Sequence, residues 1–92
     1  MLTFEQILQA YDRGEFTRNE FIGHTLTALA SVQPETVERA LRRRPEDLDA
    51  LMKWIEDVLS GAEIWSSAGH AVPITDDNRA ALTRFRGHVG VS

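Results

Sequence analysis

The stretch from Phe16 to Phe21, Phe-Thr-Arg-Asn-Glu-Phe, constrains the fold of this chain more than any other segment. A threonine followed three residues later by a glutamate forms a capping box, in which each side chain accepts a hydrogen bond from the other residue's backbone N–H. Phe16 and Phe21 occupy the two positions whose side chains pack together across a first helical turn as a hydrophobic staple. The segment therefore predicts a helix that begins at Thr17.

Similar signals divide the rest of the chain into helices. Thr3 with Gln6 forms another capping box, while Pro34 and Pro45 each suit the first position of a helix. Thr75, followed by two aspartates, opens the last helix. No segment alternates in the manner of a strand. Apolar residues instead recur at helical spacing, as on one face of the first helix (Phe4, Ile7, Leu8 and Tyr11) and on the inward side of the third (Val37, Ala40 and Leu41). The predicted helices cover about 3–13, 17–32, 34–43, 45–60 and 75–86, with a short tail over 87–92.

The connection over 61–74 is the least regular part of the sequence. Its glycines, serines and proline are typical of a loop, whereas apolar residues such as Ile64 and Trp65 need to be buried. A structureless loop of this length is uncommon in a compact domain. We therefore expect a short helical turn around 62–67 and an extended segment over 71–74.

These elements predict an all-α fold, a compact antiparallel bundle of five short helices, or six if 62–67 forms a helical turn. The 92 residues suit a single domain with one core. The helix over 17–32 carries apolar residues on a broad face, which predicts that it lies at the centre of the bundle. The chain has no cysteine, so disulfides and thiolate sites are excluded.

Charge and hydropathy narrow the classes of partner. The net charge is −4, with 12 acidic and 7 basic side chains in residues 1–63, which argues against broad contact with nucleic-acid phosphates. No apolar run approaches the roughly 18 residues of a membrane span, and the chain does not start with the pattern of a signal peptide. We expect a cytoplasmic protein whose partner is another protein or a second copy of itself.

Spacing and charge both argue against a DNA-reading helix-turn-helix. The motif needs a turn of 3–4 residues between its two helices. Arg44 and Pro45 leave almost no turn between the third and fourth predicted helices. Acidic residues at the start of the fourth helix would also face the phosphates.

Arg42, Arg43 and Arg44 form the most obvious charge cluster in the sequence. Such a cluster can bind an anion or an acidic partner. Its position at the end of the third helix also complements the negative end of the helix dipole, just as acids open the next helix. The helix-end interpretation is favoured, and the three arginines, together with Asp47, remain candidate interface residues.

Trp54 is the hardest residue to assign. On a helical wheel it projects about 100° from the inward set of the fourth helix, which centres on Leu48, Ile55 and Leu59. It therefore either packs at the rim of the core or anchors another protein, because tryptophan is enriched at interface hot spots. Trp65, in the irregular connection, raises the same question, and both are candidate interface residues.

No catalytic or metal-binding pattern is present. Glu20 and His24 lie one turn apart on the second helix, but two ligands do not make a metal site. His70 and His88, the other histidines, lie far along the chain. There is no glycine-rich phosphate loop, and no serine or threonine has a recognisable base nearby in sequence. We therefore predict a protein that is not an enzyme and has no catalytic residues, no metal and no cofactor.

These exclusions leave a non-catalytic protein–protein interaction or regulatory module as the leading hypothesis. The alternative is a small acidic inhibitor of immunity type, which would block a basic site on its target and would need an acidic patch formed by the acids of the fourth helix together with those of the second or third helix. A metal protein or enzyme would need the histidines to converge on one pocket. The acids of the fourth helix are Glu46, Asp47, Asp49, Glu56 and Asp57.

Overall fold

Five helices surround one apolar core in a computed structural model that describes residues 3–61, 64–65, 71–72 and 74–90, with side chains for 3–61 and 74–90. The all-α bundle is thereby confirmed. Within the described parts of the chain, no helix has the length and apolarity needed to cross a bilayer. The elements are α1 (Phe4–Asp12), α2 (Arg18–Ala28), α3 (Pro34–Leu41), α4 (Pro45–Leu59), β1 (Ile64–Trp65), β2 (Ala71–Val72) and α5 (Asp76–Gly90).

The predicted helix starts are confirmed, because each depends on residues that are close in sequence. Thr17 Oγ1 accepts a hydrogen bond from the Glu20 N–H at 3.2 Å, and Glu20 Oε1 accepts one from the Thr17 N–H at 3.0 Å. Thr3 and Gln6 form the same reciprocal pair at the start of α1. Both boxes satisfy backbone donors that a helix leaves unpaired at its first turn.

The helix α2 lies at the centre of the bundle, as its broad apolar face predicted. It packs against α1, α4 and α5. Phe21, Ile22 and Leu26 are almost completely buried. Thr25 is also completely buried, although hydropathy does not mark it as a core residue. The largest fully buried apolar side chains of the core are Phe21, Phe85, Ile7, Ile22, Leu26, Leu41, Leu51, Ile55, Leu82, Val37 and Val58.

The helix α2 is shorter than predicted, since it ends at Ala28 instead of continuing to Val32. The Ser31 backbone N–H and its hydroxyl both donate to the Ala28 carbonyl, which closes a turn at this point. Gln33 precedes a proline and adopts an extended conformation, with φ −70° and ψ 137°. Residues before proline avoid the α region, so the chain leaves the helix early enough to reverse direction.

The helix α5 is longer than predicted and includes residues 87–90, which the sequence indicated as a tail. Gly87 does not adopt the left-handed conformation of a helix-ending glycine, unlike Gly14 and Gly61, whose φ angles are 79° and 104°. Val89 is half-buried against the core, and His88 faces Glu38 on α3. These tertiary contacts extend the helix past Gly87.

The prediction of a helical turn at 62–67 is wrong for Ile64 and Trp65, which form a short strand. This strand pairs in antiparallel fashion with Ala71–Val72, and Ile64 lies opposite Val72. A β-branched residue and an aromatic one favour extended geometry, as does the position of Val72 before a proline. The extended conformation expected at the start of 71–74 is confirmed for Ala71–Val72, whereas 62–63, 66–70 and 73 lie outside the described residues.

The glycines Gly14 and Gly23 provide a test of the backbone that is independent of the core. At neither position would an added β-carbon meet a heavy atom of another part of the chain within 4 Å, but only Gly14 has a positive φ. We expect Gly14→Ala to lower the free energy of unfolding by about 1 kcal/mol, because alanine is strained there. Gly23→Ala is expected to raise it by about 0.5–1 kcal/mol, because alanine favours the interior of α2. Urea denaturation of both variants measures the two changes. If both substitutions changed the free energy of unfolding in the same direction, the assignment of a positive φ to Gly14 and not to Gly23 would be contradicted.

Candidate functional site

Asp47 lies at a junction of α1, α2 and α4, where it is bonded within the chain. Only 7% of the residue is exposed. Its Oδ1 accepts a hydrogen bond from the Tyr11 hydroxyl at 3.0 Å and another from Arg18 Nε at 3.0 Å. Two interactions raise the pKa of the Arg18 guanidinium: a side-chain hydrogen bond with Tyr11 and the negative charge of Asp47. We call Tyr11, Arg18 and Asp47 the Asp47 junction, and its geometry ties three helices together.

The predicted arginine cluster is divided among different partners. Arg44 forms an ion pair with Asp12, and its guanidinium carbon lies 5.8 Å from the centre of the Tyr11 ring. Arg42 pairs with Glu38 one turn earlier on α3, at 3.1 Å. Arg43 is exposed and forms no ion pair with any described residue. Two of the three arginines thus have partners within the chain, so the cluster is not a single anion site.

Glu38 is a buried carboxylate that sequence reasoning missed. It is 8% exposed, and its Oε1 lies 3.1 Å from Arg42 Nη2 and 3.4 Å from His88 Nε2. Its Oε2 has no hydrogen-bond partner among the described residues. The spacing of Glu38 and Arg42 indicates a helical ion pair, but the approach of His88 depends on how α3 and α5 pack.

The two described histidines contact different residues. His24 is exposed, and its ring stacks on that of Phe16 with centroids 4.7 Å apart. His88 faces Glu38 on α3, and His70 lies outside the described residues. In the described part of the chain, no group of three or more histidine, aspartate or glutamate side chains is placed to hold a metal ion.

Trp54 is half-buried and packs against the core. The buried face of α4 consists of Asp47, Leu51, Ile55 and Val58, so it is rotated from the face that the sequence predicted. At 100° per residue, Trp54 lies about 55° from the centre of that face, which explains its partial burial. The backbone of Trp65 lies in β1, and its side chain is outside the described residues.

An open groove of about 600 Å³ lies between α1 and α3. These helices are not among the closely packed pairs of the described structure, whereas each packs on other helices of the bundle. The first residues of α1 meet the connection before α3, while Asp12 near the end of α1 pairs with Arg44 beyond the end of α3. The two helices therefore run in the same general direction. The residues that line the groove are Thr3, Phe4, Glu5, Leu8, Ser31, Val32, Thr36 and Ala40; we call this the α1–α3 groove.

The lining of the α1–α3 groove is mainly apolar. Phe4 is buried, and the half-buried side chains of Leu8, Val32 and Ala40 pack against the core while they also line the groove. Glu5 is the one charged residue among those that line it, and it forms no ion pair with a described residue. The groove therefore presents an apolar surface beside one carboxylate that forms no ion pair with the described residues.

Two of the three residues with hydroxyl groups that line the groove, Thr3 and Ser31, use those groups at helix ends. Thr3 Oγ1 accepts from the Gln6 N–H, and the Ser31 hydroxyl donates to the Ala28 carbonyl. A nucleophile needs a base within hydrogen-bond reach, and neither hydroxyl has one in the described structure. The arrangement is able to bind an apolar surface, and the hydroxyl groups of Thr3 and Ser31 are not hydrogen-bonded to a base that would prepare them for nucleophilic attack.

Comparison with models of known protein families, with curated proteins and with solved structures finds no match to this chain. A function for this chain therefore has to be inferred from the groove and its chemistry.

Sequence reasoning identified the apolar residues of the groove but not the groove itself. Phe4 and Leu8 fall on one apolar face of α1, and Ala40 lies on the inward side of α3. Helical periodicity cannot distinguish a side chain that faces a neighbouring helix from one that faces a gap between helices. The partial burial of Leu8 and Ala40 became visible only when the helices were placed together.

Proposed function

We propose that this chain is a small, non-catalytic protein–protein interaction module of the cytoplasm that binds its partner in the α1–α3 groove. The observation that carries the proposal is the apolar lining of an open groove beside Glu5, an acid that forms no ion pair with the described residues. Apolar patches that stay open on a soluble domain and are rimmed by polar groups mark sites of interaction. A regulatory subunit or an adaptor would use such a surface.

The distribution of polar groups supports binding rather than catalysis. An active site brings titratable side chains together in a cavity, and Glu5 is the one such group among the residues that line the groove. The Asp47 junction joins α1, α2 and α4, and Glu38 Oε1 lies 3.1 Å from Arg42 and 3.4 Å from His88 on α5. These polar contacts lie within the chain and hold its helices together.

The acidic-inhibitor alternative receives less support from the charges of α4. Such an inhibitor needs free carboxylates, but Glu46 and Asp47 pair with Arg18. Glu56 pairs with Arg86 on α5 at 3.3 Å. Three of the five acids of α4 thus form ion pairs within the chain, so the groove is the better basis for a function.

Obstruction of the groove tests the proposal. Ala40→Trp would place an indole in the groove, whereas Ala80→Trp adds the same side chain at an exposed position of α5. We expect peptides selected from a random display library for binding to the native chain to bind Ala80→Trp equally well and Ala40→Trp at least tenfold more weakly. Isothermal titration calorimetry measures the affinities, and circular dichroism checks that both variants stay folded.

Two outcomes would contradict the proposed function. One is that no peptide is enriched on the native chain above the level found on Ala40→Trp. The other is that a small apolar molecule, such as decanol, saturates the groove with micromolar affinity while every selected peptide binds elsewhere. Amide chemical shifts of Leu8, Val32 and Ala40 locate the bound molecule in either case.

A further inference from the structure

We infer that the occupant of the α1–α3 groove is an amphipathic α-helix of a partner protein, with a basic side chain that faces Glu5. The inference rests on the proposed function and specifies the chemistry of the partner. Three features support it: the spacing of side chains on the groove walls, the hydrogen bonding of the wall backbone within its own helices, and the charge of the residues that line the groove.

The walls of the groove have the spacing that a third helix needs. Phe4 and Leu8 are four residues apart on α1, and Thr36 and Ala40 are four residues apart on α3. Side chains at this spacing form the ridges between which the side chains of another helix insert. A helix laid along the groove would therefore pack against both walls, with apolar residues one and two turns apart.

An extended segment fits the groove less well because its backbone N–H and C=O groups would find no hydrogen-bond partners there. A bound strand is held by hydrogen bonds to an exposed sheet edge. The groove is bounded by two helices, whose backbone groups bond within the helix, and by the connection that precedes α3. A helix satisfies its own N–H and C=O groups, so it loses no hydrogen bonds when it enters an apolar groove.

Charge complementarity selects a basic partner rather than a second copy of this chain. Glu5 is the charged residue of the lining, and it is exposed and free of ion pairs with the described residues. The whole chain has a net charge of −4, so two copies would bring an excess of like charge together. A lysine or arginine on the partner helix would meet the Glu5 carboxylate at the rim of the groove.

Two display libraries test the inference against the native chain. One library has apolar residues at positions i, i+4 and i+7 of a 16-residue peptide, and the other has them at alternate positions; all other positions are random. We define groove binders as peptides that bind the native chain but do not bind Ala40→Trp. We expect them to come mainly from the helical library, with lysine or arginine enriched at one position. Replacement of that residue by glutamate is expected to weaken binding about tenfold, because attraction becomes repulsion.

Charge reversal on the protein supplies the matched control. Selection against Glu5→Lys is expected to replace the basic preference with aspartate or glutamate at the same peptide position. Asp57→Lys, an exposed substitution of the same charge on α4, is expected to leave the preference unchanged. Circular dichroism confirms that both variants keep their helices.

Each other outcome is decisive. Groove binders that come mainly from the alternating library, or helical binders whose charge preference is the same on Glu5→Lys, would overturn the inference while the proposed function stands. A dimer in sedimentation equilibrium that Ala40→Trp abolishes would also overturn it, since the occupant would then be a second copy. An absence of groove binders from both libraries would overturn the proposed function itself.

Discussion

Phe21→Ala is expected to lower the free energy of unfolding by about 3–5 kcal/mol, the largest effect of any single truncation considered for this chain. Phe21 is completely buried in α2, and its ring stacks on that of Tyr11 with centroids 4.2 Å apart and planes at 8°. Removal of the ring leaves a cavity at the centre of the bundle and takes away the apolar surface on which Tyr11 rests. Urea denaturation followed by circular dichroism at pH 7 measures the loss.

Phe16→Ala is the matched control for Phe21→Ala. Phe16 is half-buried, and its ring stacks on the exposed ring of His24. Its truncation removes less buried area and is expected to cost no more than about 1.5 kcal/mol. If Phe21→Ala fails to fold, Phe21→Leu provides a smaller and measurable loss. Equal losses for Phe16→Ala and Phe21→Ala would contradict the assignment of α2 to the centre of the core.

Asp47→Ala is expected to cost about 2–3 kcal/mol, because it removes the acceptor of two hydrogen bonds in the Asp47 junction. The Tyr11 hydroxyl is left without its partner in a partly buried place, whereas the half-exposed Arg18 can turn to water. Tyr11→Phe keeps the stacked ring and removes one of the two hydrogen bonds, so about 1 kcal/mol is expected for it. Thermal and urea denaturation of the variants provide the comparison.

Asp49→Ala provides the matched control, since Asp49 is an exposed aspartate two residues further along α4. Its removal is expected to change the free energy of unfolding by less than about 0.5 kcal/mol. If Asp47→Ala and Asp49→Ala have equal effects, Asp47 contributes through its position near the start of the helix and not through the junction.

Local signals predicted where helices begin, and contacts between helices decided where α5 ends. Thr17 and Glu20 cap α2 with atoms that are three residues apart, so no tertiary information was needed. The end of α5 depends instead on Val89 at the core and on His88 beside Glu38. The strand at Ile64–Trp65 was likewise missed, because its pairing partner lies several residues away, at Ala71–Val72.

The candidate site likewise combines features that the sequence predicted with a gap that depends on how the helices pack. Apolar periodicity placed Phe4 and Leu8 on one face of α1, and proline and capping signals fixed the elements that carry the groove. The gap between α1 and α3 exists because both helices pack on other members of the bundle and not closely on each other. No periodicity along one helix contains that information.

The sequence by itself determined the fold class, the start of every helix and the absence of a cysteine framework, because these depend on residue type and on atoms within one helical turn. Only the tertiary structure decided that Asp47 and Glu38 are buried and bonded between helices, that Trp54 packs against the core, and that Glu5 lies beside an apolar groove without an ion pair to any described residue. Those properties depend on which faces meet, and side chains distant in sequence become neighbours only when the helices pack.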